Sequence, residues 1–352
     1  MEEKVEPTDQ PGATQQDPPK PRSHRRLIVL SIVLLLIVIP LFLCWYFMIS
    51  MPGESYAGPM PELNDGQTRL RDRLRKHVES IAGERNFGNK PGLRKAETYI
   101  ILEFRDAGYE HRAHDYKVLG NASHNIEVEI VGSKRPKEIV VIGAHHDTVK
   151  GTPGANDNAS GVAAVLELAR HFANKRPERT LRFVTFGTEE PPWFQTENMG
   201  SLVYAKQCRF FEDNIIAAIS LETIGYYNDD AGSQELPSFV LSPFYPSEGN
   251  FIAVVGNVGS RQLVLNIVDS FRRHAEFPSE GGALPGDMTG VGFSDHWSFW
   301  EYGYPAVMIT DTAMFRYPYY HDPRDTPDKL DFDRMARVVD GLKPVIEELV
   351  NE

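Results

Sequence analysis

The chain has 352 residues, of which 41% are hydrophobic and 24% are charged, a composition typical of globular rather than disordered proteins. Its net charge is -12, and no stripe of Lys or Arg stands out against the acidic background. Binding to a phosphate backbone needs a clustered basic face, so the sequence argues against nucleic acid as a partner.

The first 26 residues are rich in Pro, Gln, Glu and Asp and contain almost no apolar side chains. Burial of apolar surface cannot offset the entropy lost on ordering a segment of this composition. Residues 1–26 are therefore predicted to form a disordered tail.

An uncharged, strongly apolar stretch follows from Leu27 to Ile49. A helix of about 20 such residues crosses a bilayer core of about 30 Å, whereas a cleaved signal peptide has a shorter apolar core. Trp45, Tyr46 and Phe47 resemble the aromatic belt of a membrane interface. The sequence predicts a retained transmembrane helix over residues 27–49, with the membrane as one partner of the chain.

Basic residues crowd the N-terminal flank of this stretch, whereas acidic residues precede the first basic residue on the other flank. The basic residues are Lys20, Arg22, Arg25 and Arg26, and the acidic ones are Glu54, Glu62 and Asp65. The positive-inside rule places the N-terminus in the cytoplasm and the remaining chain on the opposite side of the membrane.

Residues 50–64 contain several Pro and Gly residues and are interpreted as a linker. Apolar residues then recur at helical spacing, at Leu70, Leu74, Val78 and Ile81. The folded domain is therefore expected to cover residues 65–352.

Within this domain short β-rich segments alternate with helical ones. Strands are predicted at 138–143, 180–186, 215–221, 238–241, 251–255 and 306–309, and helices at 161–173, 261–275 and 332–350. This alternation indicates an α/β fold in which a mostly parallel, mixed central sheet is flanked by helices.

Residues of the type that bind metals follow three of the predicted strands. His145 and Asp147 follow the first, Glu189 and Glu190 the second, and Glu222 the third. In open α/β sheets ligands bind at the carboxyl ends of the strands, and zinc takes His nitrogen and carboxylate oxygen. Any one of these residues would be a weak signal, but together they indicate a metal site.

Five ordered motifs resemble those of the co-catalytic di-zinc aminopeptidases. The motifs are GAHHD at 143–147, PGANDNASG at 153–161, TEE at 188–190, SDH at 294–296 and YHDPRDTPD at 320–328. The family includes bacterial leucyl aminopeptidases, with glutamate carboxypeptidase II and glutaminyl cyclase as relatives. The resemblance extends from about Asp65 to the C-terminus and implies the fold of zinc-dependent exopeptidases.

The resemblance implies two zinc ions held by five ligands, four from the motifs and Glu222. His145 and Glu222 would bind one ion, Glu190 and His321 the other, and Asp157 would bridge both. Relatives commonly have Asp where this chain has Glu222, so the spacing or affinity of that site is open. The resemblance also implies a cis peptide bond between Asp157 and Asn158.

The same resemblance assigns the reaction chemistry. Glu189 would be the general base that takes a proton from a water molecule between the metals and returns it to the leaving amine of a peptide substrate. Tyr320 would stabilise the oxyanion, although Tyr317 and Tyr319 lie close by in the sequence. Asp147 is expected to accept the ring N–H of His145.

The sequence leaves the specificity and two other functions open. The aromatic residues Trp193, Phe194, Trp297, Phe299 and Trp300 are candidates for an apolar specificity pocket or for core packing. Dipeptidase and carboxypeptidase activities are alternatives to aminopeptidase activity. A glutaminyl-cyclase-like acyltransferase would use one zinc ion, and an inactive binding ectodomain would have lost ligands that are intact here.

The compartment is inferred from one further motif. Asn158-Ala-Ser160 is a glycosylation sequon inside the proposed active site, where a glycan would block access. A host without this modification avoids the conflict, which favours the periplasmic side of a bacterial inner membrane. The sequence contains no signal for an oligomeric state.

Overall fold

The computed structural model describes residues 1, 4, 12 and 24–351, so most of the predicted tail lies outside the described residues. It contains two compact units, one ending at Trp45 and one beginning at Tyr46. Helix α1, His24–Met48, contains the segment Ser31–Met48, which has the length and apolar composition of a bilayer-crossing helix. The apolar stretch thus forms the continuous helix that the sequence predicts.

The second unit is an α/β domain. Its helices are α2 (Asp65–Ile81), α3 (Lys90–Asp106), α4 (Gly161–Phe172), α5 (Gly200–Phe210), α6 (Arg261–His274), α7 (His296–Glu301) and α8 (Phe332–Asn351). Its strands are β1 (Arg112–Val118), β2 (Asn121–Ile130), β3 (Arg135–His145), β4 (Arg179–Phe186), β5 (Asn214–Glu222), β6 (Ile252–Asn257), β7 (Ser279–Leu284) and β8 (Ala306–Thr310).

The eight strands form one mixed sheet in the order β1-β2-β4-β3-β5-β8-β6-β7. The central strands β4, β3, β5 and β8 are parallel to one another. Antiparallel pairing joins β1 to β2, β2 to β4 and β6 to β8, and β7 pairs in parallel with β6. The expected mostly parallel, mixed sheet with flanking helices is confirmed.

Strand β3 shows why a central strand contains a continuous apolar segment. Val140 and Ile142 pack into the large core on the face covered by α4 and α8. Ile139 and Val141 point to the other face, where they pack with residues of α5 and α7. A parallel strand with helices on both faces buries every side chain, so its sequence does not alternate between apolar and polar residues.

The strand predicted at 238–241 is wrong, because Phe239–Leu241 forms a single turn of 3₁₀ helix. The Ser238 side chain accepts a hydrogen bond from the Val240 N–H, and this local bond favours a turn over an extended chain. Strands β1, β2 and β7 were not predicted: β1 is largely polar and β7 contains two consecutive glycines. Of these, β1 and β7 are edge strands, which need fewer apolar residues than central ones.

The segment interpreted as a linker lies against the domain. Met51 packs on the large core, and the Arg272 guanidinium donates hydrogen bonds to the carbonyl oxygens of Pro52 (3.0 Å) and Gly53 (2.9 Å). The Ser279 N–H donates to the Ser55 hydroxyl. The chain after α1 is therefore fixed to the edge of the sheet formed by β7.

Candidate active site

Three neighbouring parallel strands end at one rim of the sheet and place acidic and imidazole side chains there. His145 is the last residue of β3, Glu222 is the last residue of β5, and Glu190 follows the end of β4. All three are at least 95% buried. The three residues lie together at the rim of the sheet, as the sequence predicts.

Asp157 lies between two histidines with one carboxylate oxygen facing each. Its Oδ1 is 3.2 Å from His145 Nε2, and its Oδ2 is 3.1 Å from His321 Nε2. Glu222 Oε2 is 3.2 Å from His145 Nε2, and Glu190 Oε2 is 3.3 Å from His321 Nε2. The five residues therefore divide into two groups of three that share Asp157.

Each group has the composition and size of a cation site. His145, Asp157 and Glu222 have potential ligand atoms within 4.8 Å of one another, as do Asp157, Glu190 and His321, and an overlapping set contains His145, Glu189 and Glu190. Among the described residues, Asp157 Oδ1 and Glu190 Oε1 are buried without a hydrogen-bond partner. Buried carboxylate oxygens normally have a partner, so these atoms fit a bound cation.

The electrostatics of the chain alone also favour a cation. Burial and the neighbouring Asp157 carboxylate together raise the pKa of Glu190 to about 8, against the opposing effects of His321 and His145. Burial likewise raises the pKa of Glu222. Carboxylates packed together in this way resist ionisation unless positive charge balances them.

Removal of metal should therefore destabilise the protein in a pH-dependent way. In the folded protein the pKa of the Glu190 carboxyl is raised to about 8. Such a group stabilises the folded state when the pH is below its unfolded pKa. This contribution is lost as the pH rises through the folded pKa. We expect a chelator to lower the Tm more at pH ~8 than at pH ~6, as measured by calorimetry. Added zinc should restore the Tm, and an equal loss at both pH values would contradict this assignment.

Asp147 supports the strand end that carries Glu189 and Glu190. Its carboxylate accepts the backbone N–H of Glu189 (3.0 Å) and of Glu190 (3.2 Å). Its Oδ1 lies 3.5 Å from His145 Nδ1, which is on the side expected for orienting the ring but longer than an ordinary hydrogen bond. The backbone contacts were not predicted from the sequence.

Glu222 is oriented by two side chains from other motifs. Asn158 Nδ2 donates to Glu222 Oε2 at 3.2 Å, and the Ser294 hydroxyl donates to the same oxygen at 2.7 Å. The peptide bond between Asp157 and Asn158 is cis, as the motif resemblance implies. Ser294 thus gives the SDH motif a positioning role that its sequence did not reveal.

Asp325 holds the backbone on either side of the shared carboxylate. It accepts the N–H of Asn156 (2.8 Å) and of Asp157 (3.1 Å), and the Tyr317 hydroxyl donates to it at 2.7 Å. Asp325 is buried within the same motif as His321. Asp325 follows His321 by four residues in the sequence, and its position in this motif was a signal that could have identified it as a site residue.

Arg85 is a further residue that the sequence did not identify. Its side chain is fully buried and donates to the carbonyl oxygens of His146, Gly83, Pro153 and Gly154. These bonds join the segment before α3 to the loop between His145 and Asp157. A lone Arg far from the motifs carried no sequence signal, since only the fold brings it there.

Glu189 and Tyr320 line the same cleft as the proposed ligands. Glu189 Oε2 is 3.9 Å from His145 Nε2. Burial raises the pKa of Glu189 well above its ordinary value; His145 opposes the rise, and the Glu190 and Glu222 carboxylates add to it. The structure therefore places Glu189 in a buried, negatively charged environment that favours the protonated form of its carboxyl.

The three neighbouring tyrosines have different surroundings. Tyr320 stacks on the His321 ring at 3.9 Å and lines the cleft. The Tyr317 hydroxyl is bound to Asp325, and the Tyr319 ring lies 5.0 Å from the Arg324 guanidinium. Of the three, Tyr320 is the one placed to reach a molecule in the cleft.

The backbone adopts the left-handed region at three non-glycine residues of these turns. They are Thr188 (φ 49°), Thr223 (φ 44°) and His321 (φ 56°). Positive φ is uncommon for threonine and tends to occur at functional sites, where the surrounding structure enforces it. Each of these residues adjoins or belongs to the cluster around Asp157.

An apolar cavity of about 100 Å³ adjoins the cleft. Glu222, Phe293, Met314 and Tyr320 line both spaces, so the two are contiguous. The remaining wall is largely apolar and includes Leu241, Phe251, Ala253, Val255 and Met308. An apolar space therefore lies beside the candidate metal site.

The aromatic residues considered as pocket residues have other positions, with one exception. Phe194 lines the cleft. Phe299 packs in the core behind the sheet, and Trp300 donates its indole N–H to the Ala306 carbonyl. Trp193 packs edge-on against Phe87. The apolar cavity is instead built mainly from β6, β7, β8 and the loops over them.

Comparison with known proteins gives a consistent result. Residues 125–346 match the model of peptidase family M28. The protein YfbL of Escherichia coli (strain K12) is 32% identical over 326 residues, covering 90% of this chain and 97% of its own. Aminopeptidase YwaD of Bacillus subtilis is 24% identical over 275 residues, covering 74% of this chain, which spans about half (51%) of that protein.

Solved structures share the fold. An aminopeptidase from Aneurinibacillus sp. strain AM-1 superposes with a TM-score of 0.63 at 19% identity, covering 81% of this chain and 95% of its own. Solved glutaminyl cyclases share the fold as well. The eight-stranded mixed sheet is therefore an architecture on which more than one chemistry is known.

Proposed function

This chain belongs to peptidase family M28, and from that membership and the cluster around Asp157 we propose that it is a membrane-anchored aminopeptidase using two zinc ions. The observation that carries the proposal is the position of Asp157, with one oxygen toward His145 and the other toward His321. One carboxylate shared by two groups of ligands is suited to holding two cations side by side.

We assign the ligands from these distances. His145, Asp157 and Glu222 would hold one zinc ion, and Asp157, Glu190 and His321 the other. Bound zinc would supply Lewis acidity, which polarises a carbonyl and lowers the pKa of water. Asp147, Asn158, Ser294 and Asp325 hold the ligand side chains and backbone in place through the hydrogen bonds described above.

The remaining steps belong to the side chains of the chain itself. Glu189 accepts the proton of the attacking water and delivers it to the amine nitrogen that leaves. The Tyr320 hydroxyl donates a hydrogen bond to the carbonyl oxygen as it gains negative charge. Burial raises the pKa of Tyr320 well above its ordinary value, so the hydroxyl retains its proton for this role.

The apolar cavity supports a substrate with a large apolar N-terminal residue. Its wall contains aliphatic, Met and aromatic side chains, and it opens beside Glu222 and Tyr320. Ala253 on β6 contributes a small side chain to this wall. Filling the space at Ala253 should therefore change which residue is accepted.

We expect Ala253→Leu to lower kcat/KM for N-terminal Leu or Phe relative to Ala by about 10- to 100-fold, because each lost methylene-sized contact costs about 1–3 kcal/mol. Steady-state kinetics on aminoacyl substrates measure this ratio. The same substitution at Ala122, exposed on β2 near the opposite edge of the sheet, is the matched control and should leave it unchanged. A ratio unaffected by Ala253→Leu would place the N-terminal side chain elsewhere.

The proposed organisation is a cytoplasmic tail (1–26), a transmembrane helix (27–49), a linker (50–64) and a catalytic domain (65–352) on the outer side. The apolar composition of Ser31–Met48 and the basic N-terminal flank support it. Asn158 is fully buried and its amide is bound to Leu221 and Glu222, a position incompatible with a glycan. This supports the periplasmic side of a bacterial inner membrane.

A substrate panel on the zinc-loaded full chain tests the activity. We expect hydrolysis of peptides with a free N-terminal amine and none of the same peptides after N-acetylation. Release of C-terminal residues from the acetylated peptides would show a carboxypeptidase. Cyclisation of N-terminal glutamine with loss of ammonia, together with one equivalent of bound zinc, would instead show a glutaminyl cyclase, whose fold this chain shares.

A further inference from the structure

The loop of residues 236–247 has an apolar outer surface. Phe239 is 87% exposed, Val240 58% and Phe244 43%. The loop has no charged side chain, although charged residues make up 24% of the chain. Soluble surfaces seldom expose adjacent large apolar side chains, and such patches commonly mark contacts with proteins or membranes.

Other residues of the same loop face the domain and fix the loop in position, so the exposed side chains are not core residues that have lost their packing. Leu241 is buried with Leu284 and Val291, and it lines the apolar cavity. The Tyr245 hydroxyl donates to the Gly281 carbonyl of β7 at 2.9 Å. The loop is therefore held in place by its own inward residues, while Phe239, Val240 and Phe244 are exposed.

The end of α1 lies at the same place on the domain. Met48 and Ile49 pack against the cluster of Leu241, Leu284 and Val291. Arg261 donates to the carbonyl oxygens of Tyr46 (2.6 Å) and Phe47 (2.6 Å), which belong to the last turn of α1. The residues that leave the proposed membrane segment are thus fixed beside the apolar loop.

We propose that residues 236–247 insert into the lipid bilayer, with Phe239, Val240 and Phe244 as the inserted side chains. The inference rests on the membrane anchoring proposed above. Met48 packs against the cluster that contains Leu241, so a bilayer that reaches Met48 also reaches the loop. Acidic residues, Glu235 and Glu248, flank the loop but do not occur within it, and its exposed Phe and aliphatic residues suit the boundary between headgroups and acyl chains.

Spin labelling of the full chain in vesicles tests this inference. A nitroxide is attached at Val240→Cys in a Cys44→Ser background, and Cys208 is buried and unreactive to the label. The vesicles contain phosphatidylcholine and phosphatidylglycerol. Collisions with oxygen, which concentrates in acyl chains, are compared with collisions with a water-soluble nickel chelate.

Leu119→Cys is the matched control. Leu119 is 76% exposed and lies in the turn between β1 and β2, at the edge of the sheet opposite β7. We expect the ratio of oxygen to nickel collisions to be several-fold higher at residue 240 than at residue 119. Equal ratios at the two positions would overturn the inference. Protection of residue 240 from both reagents would also overturn it, because such protection indicates contact with a protein partner or a second copy of this chain.

Extraction of the vesicles with alkaline carbonate tests the proposed membrane anchor independently of the contact between the loop and the bilayer. If the chain stays in the vesicles but the label at residue 240 is exposed to water, the proposed anchor is retained and only the contact between loop and bilayer is excluded. A chain released by carbonate overturns both.

Discussion

Replacing Glu189 by Gln is expected to lower kcat by about 10²- to 10⁴-fold, the usual contribution of a general acid or base. Gln is close in shape to Glu but cannot accept the proton of the attacking water. Glu189 lies in the buried cleft, 3.9 Å from His145 and beside the proposed ligand Glu190. The loss should appear in kcat more than in KM, because the side chain acts in the proton transfer.

Metal content decides how this loss is interpreted. The zinc-to-protein ratio of Glu189→Gln should equal that of the unaltered chain. Glu197→Gln, an exposed change in the same connection after β4, should affect neither activity nor zinc. Full hydrolysis by Glu189→Gln with unchanged zinc would show that another group carries the proton.

Replacing His321 by Ala is expected to lower bound zinc from about two to about one per chain, because ligand loss weakens a metal site directly. His321 contacts Asp157 and Glu190 on the side away from His145. The group of His145, Asp157 and Glu222 keeps all three of its side chains in this variant. Hydrolysis should fall together with the metal content.

Elemental analysis after gel filtration measures this stoichiometry. His274→Ala removes an exposed histidine that is bound to Glu348 and should leave the zinc content unchanged. Glu190→Ala should reproduce the loss caused by His321→Ala, since the two side chains lie 3.3 Å apart in the same group of potential ligands. An unchanged zinc ratio in either variant would exclude its proposed ligand role.

Much of the candidate site follows from local sequence order. His145 and Glu222 end apolar segments that form central parallel strands, and the carboxyl ends of such strands meet at one rim. Burial on both faces makes these strands easy to recognise. The motif resemblance added Asp157, Glu190 and His321, and the structure brings all five residues together.

Predictions from the sequence failed where the local pattern of apolar residues disagrees with the pairing of strands in the folded protein. Residues 238–241 are apolar enough for a strand, yet they form a turn that closes the apolar cavity on one side and exposes Phe239 and Val240 on the other. The polar β1 and the glycine-containing β7 are strands because neighbouring strands pair with them. Local propensity does not decide such segments.

By itself the sequence determined the apolar N-terminal helix, the central strands and the chemical type of the five clustered side chains, because each of these depends on residues close together in the chain. Only the tertiary structure decided that Asp157 directs one oxygen to each histidine, that Arg85 and Asp325 hold the surrounding backbone, and that Tyr320 faces the cleft. It also decided that the cavity lies over β6, β7 and β8. These features depend on contacts between residues far apart in the chain, which packing sets and sequence spacing does not record.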